Sequence, residues 1–387
     1  MSIPFNYNLR NLAVRKTTSI MTAVGIALTV TVLLAILALL QGLRVTLSSS
    51  GDPLSVIVLR RGSESELVSN ISRAQFQDLK FMPGIARGRD GQPLASLEIV
   101  TAINLAATGK PQGTNITVRG LSPAGIEMRN GIRISSGKWF AAGRRELVAG
   151  QSVAARFADA QIGKRVHFLR GDWEIVGVMD AGHGAQASEI WGDLNQLSSD
   201  LGRADVLSSM LVRAVDAAAA KALVTDIGAD QRLNVSAIPE KEFFELQTRS
   251  AAPIRYTGMF IALIMGIGSS FAAMNTMYAA VARRAREIGT LRVLGFPRGS
   301  ILFSFFLESV LLSALGGLVG CALVLPLNGL TTQVGSGNFT EMAFAFHVTP
   351  EIMLAGIALA VLLGCAGGFM PALAASNKDI LSALRGA

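Results

Sequence analysis

Charge is scarce in this sequence. Only 16% of its 387 residues are Asp, Glu, Lys or Arg, against about 25% in an ordinary soluble protein. Aromatic residues are scarce as well, at 6%, so the apolar half of the chain is built from Ala, Leu, Val, Ile and Gly. This composition excludes a disordered chain and a collagen, and it argues against an ordinary soluble enzyme. The two cysteines, Cys321 and Cys365, lie in hydrophobic runs, which excludes a disulfide framework or a zinc cluster in any soluble part. The three histidines, His167, His183 and His347, are far apart and form no recognisable ligand set, so no metal is expected. There is no G-x-x-x-x-G-K-S/T motif: Gly109-Lys110, Gly137-Lys138 and Gly163-Lys164 are each followed by the wrong residue, which excludes ATP binding in a P-loop of this chain. The run from Gly150 through Gln151, Ser152 and Val153 to Ala154 echoes a nucleophile elbow without its final glycine. No catalytic constellation emerges, and the chain is not expected to be an enzyme on its own.

What the sequence does hold is long stretches without any charge: residues 17–43, 256–282, 309–340 and 352–377. Each exceeds the roughly 20 residues that cross a bilayer as a helix. A helix is the expected form, because lipid leaves no partner for unpaired backbone groups. The first stretch keeps an apolar run over 20–40, longer than the core of about 7–15 residues in a signal peptide, and so reads as a retained helix.

The net charge of +8 is not spread evenly. Arg10, Arg15 and Lys16 precede the first stretch; Arg283, Arg284, Arg286, Arg292 and Arg298 lie between the second and third; Lys378 and Arg385 close the tail. Only Glu287 and Asp379 oppose them, so these three segments carry the whole excess, whereas residues 327–350 have no Lys or Arg. The positive-inside rule then puts both termini and the middle link in the cytoplasm and residues 44–250 outside. Nucleic-acid binding is not needed to explain a pI near 9.9.

The expected fold class is an α-helical membrane protein with four transmembrane helices and a mixed α/β extracytoplasmic domain between the first and second. Its parts are an amphipathic juxtamembrane helix over 1–18, membrane helices over 19–43, 251–282 (with a stalk), 299–326 and 351–376, a cytoplasmic helix over 283–297, an outer loop over 327–350 and a tail over 377–387. Phe5, Leu9, Leu12, Ala13 and Lys16 fall on one side of the first of these, which suits a helix lying on the lipid surface. Within the outer domain the pattern predicts strands over 54–59, 116–119, 132–134 and 207–213. A hairpin is predicted from 165–169 and 173–179, and an Ala-rich helix over 217–227. Pro239 opens a helix over 240–249 that runs on through Pro253 as a continuous rod into the second membrane helix.

Three features carry functional expectations. The middle link is a short helix on which Ile288, Leu291 and Gly295 share a face, with Arg284 one turn before and Arg283 spaced to pair with Glu287. Anchoring alone needs no Ile or Leu in a cytosolic turn, so this face reads as a partner surface. The second membrane helix repeats small residues at Gly258, Ala262, Gly266 and Ser270, a stripe for close helix packing or a dimer seam. Gly316 with Gly320 and Gly364 with Gly368 repeat the pattern. Asn275, Thr276 and Glu308 are the polar exceptions in the membrane runs. A carboxyl there is costly, and Glu308 is expected to pair with a group near the cytoplasmic side.

The order of segments resembles the permeases of the MacB, FtsX and LolC/LolE superfamily of ATP-driven transporters. The resemblance is carried by 283–295, Ile301, Phe306-Leu307-Glu308-Ser309, and Leu315-Gly316-Gly317-Leu318-Val319-Gly320. It continues in Pro371-Ala372, Ala374-Ala375-Ser376, Asp379-Ile380-Leu381 and Ala383-Leu384-Arg385. In the outer segment it rests on Gly137-Lys138-Trp139-Phe140, Glu146-Leu147-Val148, 150–154, Ile162-Gly163-Lys164 and Val176-Gly177-Val178, which resemble the family's periplasmic core domain. The resemblance implies a permease that works as a homo- or heterodimer with two copies of a separate P-loop ATPase. That ATPase binds the ATP and Mg, and none of this chain's residues holds a cofactor. It also implies that Arg283, Arg284, Arg286, Glu287, Ile288, Leu291, Arg292, Leu294 and Gly295 form the coupling helix. The second membrane helix would then transmit motion to the outer domain, where an exported or extracted substrate is handled. Membrane lipids, a periplasmic adaptor and an outer-membrane duct are further partners such machines use. An FtsX-like regulator of a cell-wall hydrolase, which moves nothing, and a membrane-anchored sensor or binding protein are the alternatives.

Overall fold

A computed structural model of the chain describes residues 16–107, 110–129, 131–168, 170–249, 252–335 and 341–377. The amphipathic helix expected over 1–18 therefore lies almost wholly outside the described residues, as does the tail beyond 377. The chain divides into two compact units. One holds residues 1–42, 251–330 and 345–387, and the other holds 43–250 and 331–344.

In chain order the elements are α1 (Lys16–Ser48), β1 (Ser55–Arg60), β2 (Ile71–Ser72), α2 (Arg73–Leu79), β3 (Ala95–Ala107), β4 (Lys110–Leu121) and α3 (Pro123–Met128). There follow β5 (Arg133–Gly137), β6 (Glu146–Gly150), α4 (Gln151–Arg156), β7 (Arg165–Phe168), β8 (Gly171–Asp180), β9 (Glu189–Asp193) and α5 (Leu194–Asp200). Next come β10 (Val206–Leu207), β11 (Ser209–Arg213), α6 (Ala217–Ala229), β12 (Val235–Pro239) and α7 (Glu240–Arg249). The chain closes with α8 (Ala252–Arg283), α9 (Ala285–Val293), α10 (Arg298–Val324), β13 (Thr331–Gly335), β14 (Glu341–Ala345) and α11 (Pro350–Ser376).

Among the described residues, four helices are long and apolar enough to cross a membrane. Their buried faces follow the helical repeat: Ile26, Val30 and Leu34 of α1 pack with Cys321 and Val324 of α10 and Ala360 and Leu363 of α11. Glycines permit the approach. A Cβ on Gly316 would lie 2.7 Å from the Ala23 carbonyl oxygen, and one on Gly317 would lie 2.6 Å from the Ala360 methyl. Polar groups pair across the helices as well. The Thr22 and Thr276 hydroxyls are 3.0 Å apart and those of Thr29 and Ser269 2.6 Å apart, while the Ser309 hydroxyl donates to the Gly364 carbonyl at 2.9 Å. Each such bond contributes about 0.6 kcal/mol in a membrane. At the start of α11 the Thr349 hydroxyl caps the Ile352 N–H and Pro350 takes the first turn, where its missing N–H costs nothing.

The second unit is built on a ten-stranded sheet in the order β12-β1-β11-β3-β4-β9-β6-β8-β5, with β7 on β8. Most pairs are antiparallel, but β4 with β9 and β6 with β8 are parallel. The mixed α/β class, the strand over 55–60, the helix over 217–229 and the β7–β8 hairpin (Val166 opposite Trp173) agree with the sequence pattern. β3 and β4 are far longer than the four residues expected at 116–119, and β6 and β9 carry no expectation at all. The latter two are buried at every position, so they show no alternation of polar and apolar residues. The loop expected over 327–350 instead folds into the β13–β14 hairpin, which belongs to the sheet unit; there the Ala343 N–H donates to the Ser188 hydroxyl at 3.0 Å. The expected unbroken rod from α7 into α8 crosses residues 250–251, outside the described residues.

Candidate functional site

The link between the second and third membrane helices starts where α8 ends. Arg284 leaves helical geometry at φ −101 and ψ 15, and α9 starts at Ala285. It closes at Gly295, whose φ of +90 suits glycine. The Phe296 N–H returns to the Leu291 carbonyl and the Gly295 N–H to the Arg292 carbonyl, the pattern of a Schellman cap. Pro297 then caps α10.

The buried face of α8 continues into the link. Arg284 turns inward: its Nη1 donates to Glu308 Oε2 at 2.9 Å, with side-chain exposures of 4% and 8%, and the guanidinium sits 5.7 Å from the Phe305 ring centre. Glu308 thus has an ion-pair partner in the link. Ile288 is buried as well, in a cluster with Met277, Val281, Ile301, Phe305, Ala372 and Ala375. Arg284 and Ile288 are therefore not free to form the partner surface on which the sequence pattern placed them. A helix count that runs unbroken from α8 already puts them on its buried face, since Met277, Val281, Arg284 and Ile288 follow one another at helical spacing. The outward side carries Arg283, Arg286, Glu287, Val293, Leu294 and Gly295, with Val293 and Leu294 63% and 64% exposed. Leu291 and Arg292 are half-buried. The result is two bare aliphatic side chains beside exposed arginines, held by an ion pair and an apolar plug. That arrangement suits docking of a partner with an apolar groove and acidic rim.

The small-residue stripe is also covered by the chain itself. Gly258 faces Ile36 of α1, and Gly266 faces Leu363 of α11, where an added Cβ would meet its Cδ2 at 3.3 Å. The expected close helix contact is present within the chain at Gly258 and Gly266. Ala262, Gly266 and Ser270 also line an apolar cavity of about 500 Å³ with Leu33, Leu359 and Leu363. Asn275 is exposed on α8.

Sequence reasoning missed the ionic core of the sheet unit. Arg119 of β4 donates all five of its N–H bonds to carboxylates: two to Glu66, two to Glu189 and one to Glu98, at 2.8–2.9 Å. Arg129 grips Glu98 with both terminal nitrogens at 2.7 and 2.9 Å. The Ser209 hydroxyl donates to Glu66 and the Trp191 indole to Glu189. Burial works to raise the Glu66 pKa, but Arg119's charge and hydrogen bonds, with Ser209, bring it below the ordinary carboxylate value. Burial likewise opposes the charge on Arg119, yet Glu189, Glu66 and Glu98 hold it well above its usual value. The only sequence signal was charge inside apolar strands, as at Glu98 before Ile99-Val100 and Arg119 after Val118. Such a core fixes geometry more than it adds stability.

Comparison with known proteins gives a consistent result. Residues 19–230 match the family described as MacB-like periplasmic core domain, and residues 259–380 match the FtsX-like permease C-terminal family. The chain is 25% identical over 408 residues to an uncharacterized ABC transporter permease, YknZ, of Bacillus subtilis strain 168, covering 97% of each protein. It is 24% identical over 369 residues to the macrolide export ATP-binding/permease protein MacB of Bordetella avium strain 197N, covering 85% of this chain. The match takes in 55% of that protein, so the chain spans about half the length of this relative. Among solved structures, the periplasmic region of MacB from Actinobacillus actinomycetemcomitans aligns with TM-score 0.39 and 13% identity over 51% of this chain and 94% of that one.

Proposed function

This chain is an ABC transporter permease of the MacB/FtsX type, belonging to the family with the MacB-like periplasmic core domain, and on that premise we propose that it couples ATP hydrolysis in a partner ATPase to motion of its sheet domain. The observation that carries the proposal is the link at 283–297: its inner face is locked by Arg284–Glu308 and Ile288, and its outer face presents Val293 and Leu294 among arginines. A lever needs both properties, a rigid root and an exposed contact.

In this reading two P-loop ATPase subunits, which bind ATP and Mg, dock on two permeases in the inner membrane. Both termini and the link face the cytoplasm, supported by the ten basic residues on those segments. Closure of the ATPases on ATP pushes the link, and α8 carries the displacement towards the sheet domain. The substrate is exported or extracted on the outer side, without a route through the helices. Support for that last point is the apolar lining of the 500 Å³ cavity, which offers a polar solute no hydrogen bonds beyond Ser270. The absence of a Walker A motif from these 387 residues supports an ATP site on a partner.

The test is co-purification of the tagged chain from its native cell in mild detergent, followed by identification of bound proteins and an ATPase assay. Stoichiometric recovery of a P-loop ATPase with vanadate-sensitive hydrolysis is expected. A chain that purifies without an ATPase, even in nanodiscs with nucleotide, sinks the proposal and favours an anchored sensor.

A further inference from the structure

We propose that Glu240 is the proton-responsive half of a clasp that pins the chain leaving α1 to the first turn of α7, closed when Glu240 is protonated and loosened when it ionises. The inference concerns the sheet unit alone and stands whether or not an ATPase docks on the link.

The clasp is a close backbone approach. A Cβ on Gly51 would lie 2.7 Å from the Lys241 Cα and 2.8 Å from its nitrogen, so only glycine lets the two segments meet there. One residue on, the Asp52 N–H donates to Glu240 Oε2 at 3.0 Å. The neighbouring side of the segment is held independently. The Ser50 hydroxyl accepts from the Ala185 N–H at 2.7 Å, and the Gln186 amide donates to the Ser50 carbonyl at 2.9 Å. Asp52 itself is turned away, capping the Leu54 N–H and pairing with Arg213 at 3.2 Å. Glu240 is thus the sole described side chain joining α7 to residue 52, and it is only 5% exposed.

Its surroundings disfavour a charge. Facing it are Glu98 from β3, Arg119 from β4, Arg129 after α3, and Glu66 from the loop after β1, with Gln186, Phe243 and Phe244 around the same small cavity. The guanidinium of Arg119 has no N–H left, and Arg129 gives its terminal nitrogens to Glu98 and the Gly125 carbonyl, while its Nε–H is buried without a partner among the described residues and is not bonded to Glu240. Counted as ions, those two arginines and two glutamates balance, and Glu189, the third carboxylate on Arg119, takes the cluster to one negative charge. An ionised Glu240 would add a second. Burial is the main cause of its raised pKa, about 7 against an ordinary 4.5; Glu98 adds to the rise, and Arg129, the Asp52 N–H and Arg119 oppose it. Its place at the start of α7 favours the ion too, but one N–H and a helix end do not replace the water lost on burial.

The sign follows. A group that binds its proton more tightly in the closed state than in the open one stabilises closure at low pH, and that contribution disappears as pH rises through about 7. A gap of two and a half pH units caps the effect at roughly 300-fold in the opening equilibrium. Between about pH 5.5 and about pH 8.5 the expected change is roughly thirtyfold. On the orientation proposed above, which this one point does rest on, the clasp reads the pH of the outer compartment.

The experiment is hydrogen exchange, read by mass spectrometry, on the full chain in nanodiscs at those two pH values, expressed as protection relative to intrinsic rates. Protection of the Asp52 amide and the first turn of α7 should fall at least about tenfold at the higher pH. Amides of the β3–β4 ladder should keep theirs. Glu240→Gln retains an acceptor for the Asp52 N–H and cannot ionise, so it should show the acid-like protection at both values. Equal wild-type protection at both pH values, or a Glu240→Gln chain with the wild-type pH dependence, overturns the inference. If that variant does not fold, the wild type decides alone, since loss of protection in the β3–β4 ladder together with the clasp means general loosening and no clasp.

Discussion

The Arg284–Glu308 pair allows a quantitative test of how the link is rooted. The two charges meet at 2.9 Å with side-chain exposures of 4% and 8%, in a segment where lipid offers no substitute partner. Removing one member strands the other. Arg284→Met alone, or Glu308→Leu alone, should each destabilise the helical unit by about 3–5 kcal/mol, the cost of leaving a buried charge unpaired. Replacing both with apolar side chains of similar volume removes the stranded charge, and the double variant should lie within about 1 kcal/mol of wild type. The coupling energy between the sites is then at least about 5 kcal/mol. Reversible unfolding in mixed detergent micelles, followed by helix content, measures all four proteins. Single costs below about 1 kcal/mol, or costs that simply add in the double variant, would refute the claim that this pair fixes the link. The double variant also separates roles: stability without ATPase coupling would mean that the ion pair does more than hold the link in place.

Other predictions concern packing and pH. Gly316→Ala should cost about 1–3 kcal/mol by overpacking, because the new methyl meets the Ala23 backbone oxygen at 2.7 Å. Gly266→Ala should cost under about 1 kcal/mol, since it meets only a mobile Leu363 methyl at 3.3 Å; the same unfolding assay ranks the two. Stability of the sheet unit should peak at mildly acidic pH. Glu66, with its pKa lowered by Arg119 against burial, contributes stability above about pH 4.5 that is lost as pH falls. Glu240, with its pKa raised by burial, contributes stability below its ordinary 4.5 that is lost as pH rises through about 7, to a total of about 3 kcal/mol. Protease resistance of this unit from about pH 4 to about pH 9 checks the shape of the curve.

The membrane architecture was legible because a charge-free window of this length has few other uses. The pairing of Glu308 was legible for a related reason: a carboxyl among apolar residues demands a counter-charge. The identity of that counter-charge was missed although Arg284 continues the apolar face of Met277 and Val281 at helical spacing, because the residue was counted with the partner surface of the link. In the sheet unit, β7 and β8 announced themselves by alternation around a turn. β6 and β9, covered on both faces, read as short apolar runs that periodicity does not assign. The ionic core escaped for a different reason. Its members, Glu66, Glu98, Arg119, Arg129, Glu189 and Glu240, come from separate strands and loops, and only the sheet order brings them together.

The central claim is that the exposed face of α9 and its cap is where an ATPase pushes. The most direct measurement is the affinity of the co-purified ATPase for wild-type permease and for Leu294→Asp in nanodiscs, with thermal unfolding as a control. Leu294 is 64% exposed, so the substitution should leave stability within about 0.5 kcal/mol. It should weaken ATPase binding by at least about thirtyfold, since it places a charge in an apolar contact. Wild-type affinity in a folded Leu294→Asp chain would contradict the account and move the docking surface elsewhere.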